Sequence, residues 1–223
     1  MSAETFKSAG VEYKITIYPA PSDGKKHPLV LLVHGNFGLA PPYGDQIHGF
    51  AKDLASLGYI TAVPQYYEDD KSHPDDTVPH DRTLADAIAS LAGRPEADLD
   101  RLGLIGFSLG AATSMTFIVS NPPGTVKVLA DFFGPLTPTI RGGVSRFPPT
   151  IILHNENDRI VPVQDSKDLD GLLPKTIDHQ LVKPYVEQWQ EWNHAFKPGG
   201  AADVDSRSKT TDWFTKHLPT IGK

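Results

Sequence analysis

The 223-residue chain carries 39% hydrophobic and 22% charged residues and a formal net charge of −6. That profile fits one globular domain spanning 1–223 and excludes a disordered or coiled-coil chain. The acidic balance argues against a nucleic-acid partner, because phosphate binding needs a basic face, and the absence of cysteine rules out disulfides and thiolate chemistry.

The first ten residues, MSAETFKSAG, lack a basic segment followed by an apolar run. No stretch of about eighteen apolar residues occurs anywhere. A cytoplasmic protein without membrane association is expected. Val11 to Tyr18 alternates apolar and polar side chains, as a half-exposed strand does. Pro28 to His34 is a continuous apolar run, expected of a strand buried on both faces. Ile47 to Leu57 has helical spacing, Gly58 ends it, and Tyr59 to Val63 reads as the next strand. Pro64 to Asp81, rich in Pro, Asp and His, reads as an exposed loop.

Beyond it the spacing predicts a helix over Thr83 to Leu91 and a short strand over Leu102 to Gly106. A helix follows over Leu109 to Ser120, which Asn121-Pro122-Pro123-Gly124 terminates. Val126 to Phe132 and Thr150 to His154 read as strands. Val163 to Leu173 reads as a helix, His179 to Tyr185 as a strand, and Ala202 to His217 as a closing helix. Strands alternating with helices imply an α/β fold with a mostly parallel twisted sheet and helices on both faces. Ligands bind such sheets outside the carboxyl ends of the strands.

One of those ends carries Gly106-Phe107-Ser108-Leu109-Gly110. A G-x-S-x-G between a strand and a helix makes a sharp turn that lifts the serine hydroxyl above the sheet. The flanking positions must be small because the turn is tight. The N–H of Leu109, opening the helix, can face a developing oxyanion. Of the nine histidines, His194 alone lies between the last strand and the last helix, in Glu191-Trp192-Asn193-His194-Ala195-Phe196. It is the candidate base. The acid is expected between Ser and His in chain order. Asp158, in the turn after TIILH, is favoured over Asp131, which ends the preceding strand, and over Glu156 and Asp165. The second oxyanion donor is expected from His34-Gly35-Asn36-Phe37-Gly38, with the N–H of Asn36 preferred to that of Phe37.

The HGNFGL turn, the GYITAVPQYY strand, the GFSLG elbow, the NENDRIVP turn and the NHAF loop together resemble those of dienelactone hydrolase-like proteins. The likeness runs from about Val11 to about His217. It implies a lidless, single-domain α/β-hydrolase and supports Ser108, Asp158, His194 and the N–H groups of Asn36 and Leu109. Two departures stand out. Dienelactone hydrolases proper use a cysteine nucleophile, and here the residue is Ser108. They also carry arginines for the substrate carboxylate, whereas the matching stretches here read Tyr66-Tyr67-Glu68-Asp69-Asp70 and Phe196-Lys197-Pro198.

The expected activity is therefore hydrolysis of small, neutral esters or lactones through an acyl-enzyme, with no cofactor and no metal. Thioester or small-peptide hydrolysis would use the same groups. The pocket is expected to be aromatic, lined by Phe37, Tyr66, Tyr67, Phe133 and Trp192. The nearby cations are Arg82, Arg141, Arg146 and Lys197. Two other classes compete. One is a non-catalytic binder on the same fold. The other is a metal site gathered from His73, His80, Asp75, Asp76 and Asp81, although no H-E-x-x-H occurs. Neither G-x-G-x-x-G nor G-x-x-x-x-G-K-[ST] is present, which argues against a nucleotide cofactor.

Overall fold

A computed structural model describes residues 1–67 and 79–220. Eight strands form one sheet. In chain order they are β1 (Ser2–Ser8), β2 (Val11–Tyr18), β3 (His27–Val33), β4 (Ile60–Gln65), β5 (Ala97–Phe107), β6 (Val128–Phe132), β7 (Thr150–Leu153) and β8 (His179–Leu181). The spatial order is β1-β2-β4-β3-β5-β6-β7-β8. β1 pairs antiparallel with β2 and β2 with β4, and every later pairing is parallel.

The helices are α1 (Tyr43–Ser56), α2 (His80–Ser90), α3 (Leu109–Ser120), α4 (Pro138–Gly142), α5 (Val163–Leu172) and α6 (Ala201–His217). Every residue of β3, β6 and β7 is buried, as a parallel sheet covered on both faces requires. Strand alternation then divides the core in two. Leu29, Leu31 and Val33 point to one face, where Leu84 of α2, Met115 of α3, Ile140 of α4 and Leu169 of α5 meet them. Val30 and Leu32 point to the other, against Ile47, Phe50 and Leu54 of α1 and Phe214 of α6. α1 shows how the sequence specifies such a layer. Ile47, Phe50, Ala51 and Leu54 recur at three- and four-residue spacing and are buried together. Gly58, at φ +99, then stops the helix in a conformation that side chains avoid.

Five expectations need correction. Ser2–Ser8 is a strand that the sequence reading missed. Its outward positions are polar, and it forms by adding an edge to β2. β5 starts at Ala97, five residues before its apolar run, because the segment before that run pairs with His27 and Pro28. The strand expected over His179 to Tyr185 ends at Leu181, with Pro184 interrupting the ladder and a single bridge from Tyr185 to Asn155. Pro138–Gly142 is an unanticipated short helix, capped by the Thr137 hydroxyl accepting from Ile140 N–H. The exposed loop expected over Pro64 to Asp81 is wrong at both ends, since Pro64 belongs to β4, Tyr66 is buried, and His80 and Asp81 open α2. Residues 68–78, with Glu68, Asp69, Asp70, His73, Asp75 and Asp76, lie outside the described residues. No helix among the described residues is long and apolar enough to cross a membrane.

Candidate active site

Four loops leave the carboxyl edge of the sheet and converge. The one after β5 is a single residue, Ser108, at φ 54 and ψ −118. This left-handed backbone is costly for any residue with a Cβ. The tightness of the turn can be read from its glycines. A Cβ on Gly106 would lie 2.4 Å from Ala111 Cα, and one on Gly110 would lie 2.0 Å from the Val33 carbonyl oxygen. Ser108 N–H donates to the Phe132 carbonyl at 2.9 Å, tying the turn to β6.

His194 comes from the long connection between β8 and α6. That connection is pinned to the turn after β7. Arg159 N–H donates to the Trp192 carbonyl at 2.9 Å, and Asn193 Nδ2 donates to the Asn157 carbonyl at 3.5 Å. Trp189 N–H donates to Asn193 Oδ1 at 3.0 Å. Asn193 has φ 51, so three of the five non-glycine residues with positive φ among the described residues, Ser108, Phe133 and Asn193, border this one site. Backbone strain concentrates where a fold aims side chains at chemistry.

The three predicted polar residues meet in a chain. His194 Nε2 lies 2.6 Å from Ser108 Oγ, and His194 Nδ1 lies 2.7 Å from Asp158 Oδ2. A carboxylate can only accept, so Nδ1 carries the proton, and Nε2 is left free to accept from the serine hydroxyl. Asp158 Oδ1 accepts from the N–H groups of Ile160 at 2.8 Å and Val161 at 2.9 Å. Burial would raise the Asp158 carboxyl, but the hydrogen bonds from His154 and His194, the charge of His194 and the Ile160 N–H outweigh it. The group is held down at about 2.

The rival acids sit elsewhere. Asp131 is fully buried, and its Oδ1 accepts from Gly134 N–H at 2.9 Å. Its Oδ2 has no hydrogen-bond partner among the described residues. Burial pushes this carboxyl up to about 7, against the opposing pull of His154. Glu156 pairs with Lys167, and Asp165 accepts from Leu136 N–H.

An apolar cavity of about 60 Å³ opens beside Ser108 and His194. Asn36, Phe37, Ser108 and Phe133 line it. Leu109 is the first residue of α3, where backbone N–H groups have no partner within the helix. Three of the expected pocket residues do not line the cavity. Tyr66 is buried, with its hydroxyl donating to the His34 carbonyl at 2.9 Å. Tyr67 packs against the core on the α2 and α3 face. Trp192, 47% exposed, only anchors its loop through its carbonyl. The two tyrosines follow β4 and both turn to the α2 and α3 face of the sheet, away from the cavity.

The walls it missed are Ile47 and Phe50 from α1, Phe107 and Phe132 from the strand ends, and Phe196 after His194. Phe107 and Phe132 could have been found, because each ends a strand whose loop was already singled out. Arg207 of α6 was missed as well and borders the cavity. It pairs with Asp53 and lies 5.1 Å over the Phe50 ring. Of the cations named earlier, Arg82 pairs with Asp86, Arg141 with Asp168, and Arg146 donates to the Val119 carbonyl. None of these three, nor Lys197, lines the cavity. No group of three metal-ligating side chains occurs among the described residues.

The sequence profile of the Dienelactone hydrolase family matches residues 15–218. The chain belongs to that family. Family membership makes it a carboxylic ester hydrolase of the α/β-hydrolase fold. An Escherichia coli K12 protein named "Putative carboxymethylenebutenolidase" is 24% identical over 89% of this chain and 80% of its own length. Among solved structures, a thermophilic esterase of Thermogutta terrifontis superposes with a TM-score of 0.79 at 14% identity, over 100% of this chain and 96% of that one. A dienelactone hydrolase-like promiscuous phosphotriesterase from metagenomic libraries gives 0.75 at 18%, over 97% and 98%. At these identities the superpositions establish the fold.

Proposed function

We propose that this dienelactone hydrolase family member cleaves short, neutral carboxylic esters or lactones through an acyl-enzyme on Ser108. The observation that carries the reading is the chain Ser108 Oγ, His194, Asp158, at 2.6 and 2.7 Å, at the wall of an apolar cavity. Ser108 Oγ forms the new bond to the carbonyl carbon while its proton passes to His194 Nε2. The same proton then goes to the leaving alkoxide as the ester C–O bond breaks. Asp158 holds the tautomer and stabilises the imidazolium. Water repeats the sequence in reverse and frees the acid. The N–H groups of Leu109 and Asn36 are assigned to the oxyanion.

The choice of substrate follows from size and charge. About 60 Å³ leaves room for roughly four to six water-sized groups at about 10–15 Å³ each, which suits a short acyl chain. The one cation at the wall, among the described residues, already pairs with Asp53, so an incoming carboxylate would be desolvated without a free partner. A fluorophosphonate probe tests the nucleophile: wild type should be labelled on Ser108, and Ser108→Ala should not react. Labelling of wild type at another residue would overturn the assignment.

A further inference from the structure

Beneath the triad lies a second histidine that the mechanism above does not use. His154, at the carboxyl end of β7, is fully buried. Its Nδ1 lies 2.7 Å from Ser166 Oγ on α5, and Ser166 is itself fully buried. Its Nε2 lies 3.0 Å from the Val161 carbonyl and 3.3 Å from Asp158 Oδ2. Both of those atoms can only accept, so Nε2 carries a proton and Nδ1 takes the Ser166 hydroxyl proton. Asp158 Oδ2 thus accepts from His194 at 2.7 Å and lies 3.3 Å from His154 Nε2, whose N–H is hydrogen-bonded to the Val161 carbonyl.

The charged and titratable groups around His154 come from every side. Asp158 and His194 lie above it. Asp131, on β6, is coupled to it electrostatically, and Asp165, on α5, acts in turn on Asp131. The Phe133 ring meets both histidines edge-on, its centroid 6.4 Å from His154 and 5.1 Å from His194.

We propose that His154, held in one tautomer by Ser166, is a positioning residue that fixes the Asp158 carboxylate and tempers its pull on His194. This rests on the triad reading of Ser108, His194 and Asp158. A carboxylate that shares its charge between two donors stabilises each of them less. Removing the His154 donor concentrates that charge on His194 and favours the imidazolium. The base then stays protonated, and inactive, to higher pH.

The test is the pH profile of kcat/KM on a short neutral ester, with thermal unfolding followed alongside. In His154→Phe the ring volume stays, and the Nε2 donor and the Nδ1 acceptor both go. The acid limb should move up by roughly half a pH unit, and activity at neutral pH should fall. His154→Gln returns an N–H near the position of Nε2 and should bring the limb back. Ser166→Ala frees the ring to turn, alters little volume, and should move the limb in the same direction by less. It keeps the test open if His154→Phe does not fold. A limb that stays in place in the folded variants, with activity merely following thermal stability, overturns the proposal. A wild-type level of turnover in Ser108→Ala would sink the triad reading itself, which is a different outcome.

Discussion

Two buried aspartates a few ångströms from histidines behave oppositely, and the difference lies in their donors. Asp158 accepts from two backbone N–H groups and the His194 imidazole, with His154 Nε2 3.3 Å away. Asp131 accepts from one backbone N–H, and its second oxygen has no partner among the described residues. Asp158→Asn should therefore cost on the order of 10⁴ in kcat, since an amide no longer holds His194 in its working tautomer. Asp131→Asn should leave kcat within a few-fold of wild type, and a larger loss for Asp131→Asn than for Asp158→Asn would transfer the acid role to β6. Stability adds an independent signature. Asp131 is raised from 3.8 to about 7, so the folded protein binds a proton that the unfolded chain has released. That contribution is complete below pH 3.8 and is lost as pH rises through about 7. Asp158, lowered to about 2, contributes above 3.8 and loses its share as pH falls towards 2. In chemical denaturation, Asp131→Asn should gain stability relative to wild type at pH 8 compared with pH 5. An equal difference at both pH values would contradict the burial of an ionisable group there.

The element that makes the site is the junction of β5 and α3. The strand ends at Phe107 and the helix starts at Leu109, so one residue turns the chain. Such a turn needs α3 pressed against β3, and Gly110 permits it, since its missing Cβ would sit 2.0 Å from the Val33 carbonyl and 2.4 Å from that of His34. Backbone carbonyls cannot step aside as side chains do. Gly110→Ala should cost about 1–3 kcal/mol or more and also lower kcat, because the shift propagates directly to Ser108. Circular dichroism melts paired with turnover would measure both effects. Unchanged stability would mean that the helix sits farther from β3 than described. α1 and α6 close the cavity from the opposite side through Ile47, Phe50 and Arg207, so the acyl pocket lies between a strand-end ring cluster and two helices.

At the scale of the molecule, the site combines an apolar cavity with a chain of net charge −6. The rim is apolar as well, since Phe37 is 49% exposed and its ring stacks on Tyr43 at 5.4 Å. Acetyl to butyryl esters of a neutral phenol should be turned over better than octanoyl esters, because a longer chain outruns the cavity of about 60 Å³ and extends into solvent. A lactone bearing a free carboxylate should be the poorer substrate beside a neutral lactone at low salt. The measurement is kcat/KM across both series. A clear preference for the carboxylate would mean that Arg207 leaves Asp53 to meet it.

Much of this was legible without coordinates. The apolar run of β3, the strand–GFSLG–helix junction and the order Ser, Asp, His along the chain pointed to the layer architecture, to Ser108 and His194, and to Asp158 as the favoured acid among several, because periodicity and turn chemistry are local properties. Tertiary structure decided the rest. Ser2–Ser8 shows no strand signal strong enough to stand alone and exists because β2 offers an edge. The choice of Asp158 over Asp131 depended on which carboxylate reaches His194, a distance between β7 and the loop before α6. Tyr66 and Trp192 left the pocket, and Phe50 and Arg207 entered it, because a wall is made by whichever elements pack together, however far apart in sequence. His154 and Ser166, twelve residues apart, acquired a shared role only when α5 folded back under β7 and placed one carboxylate between two imidazoles.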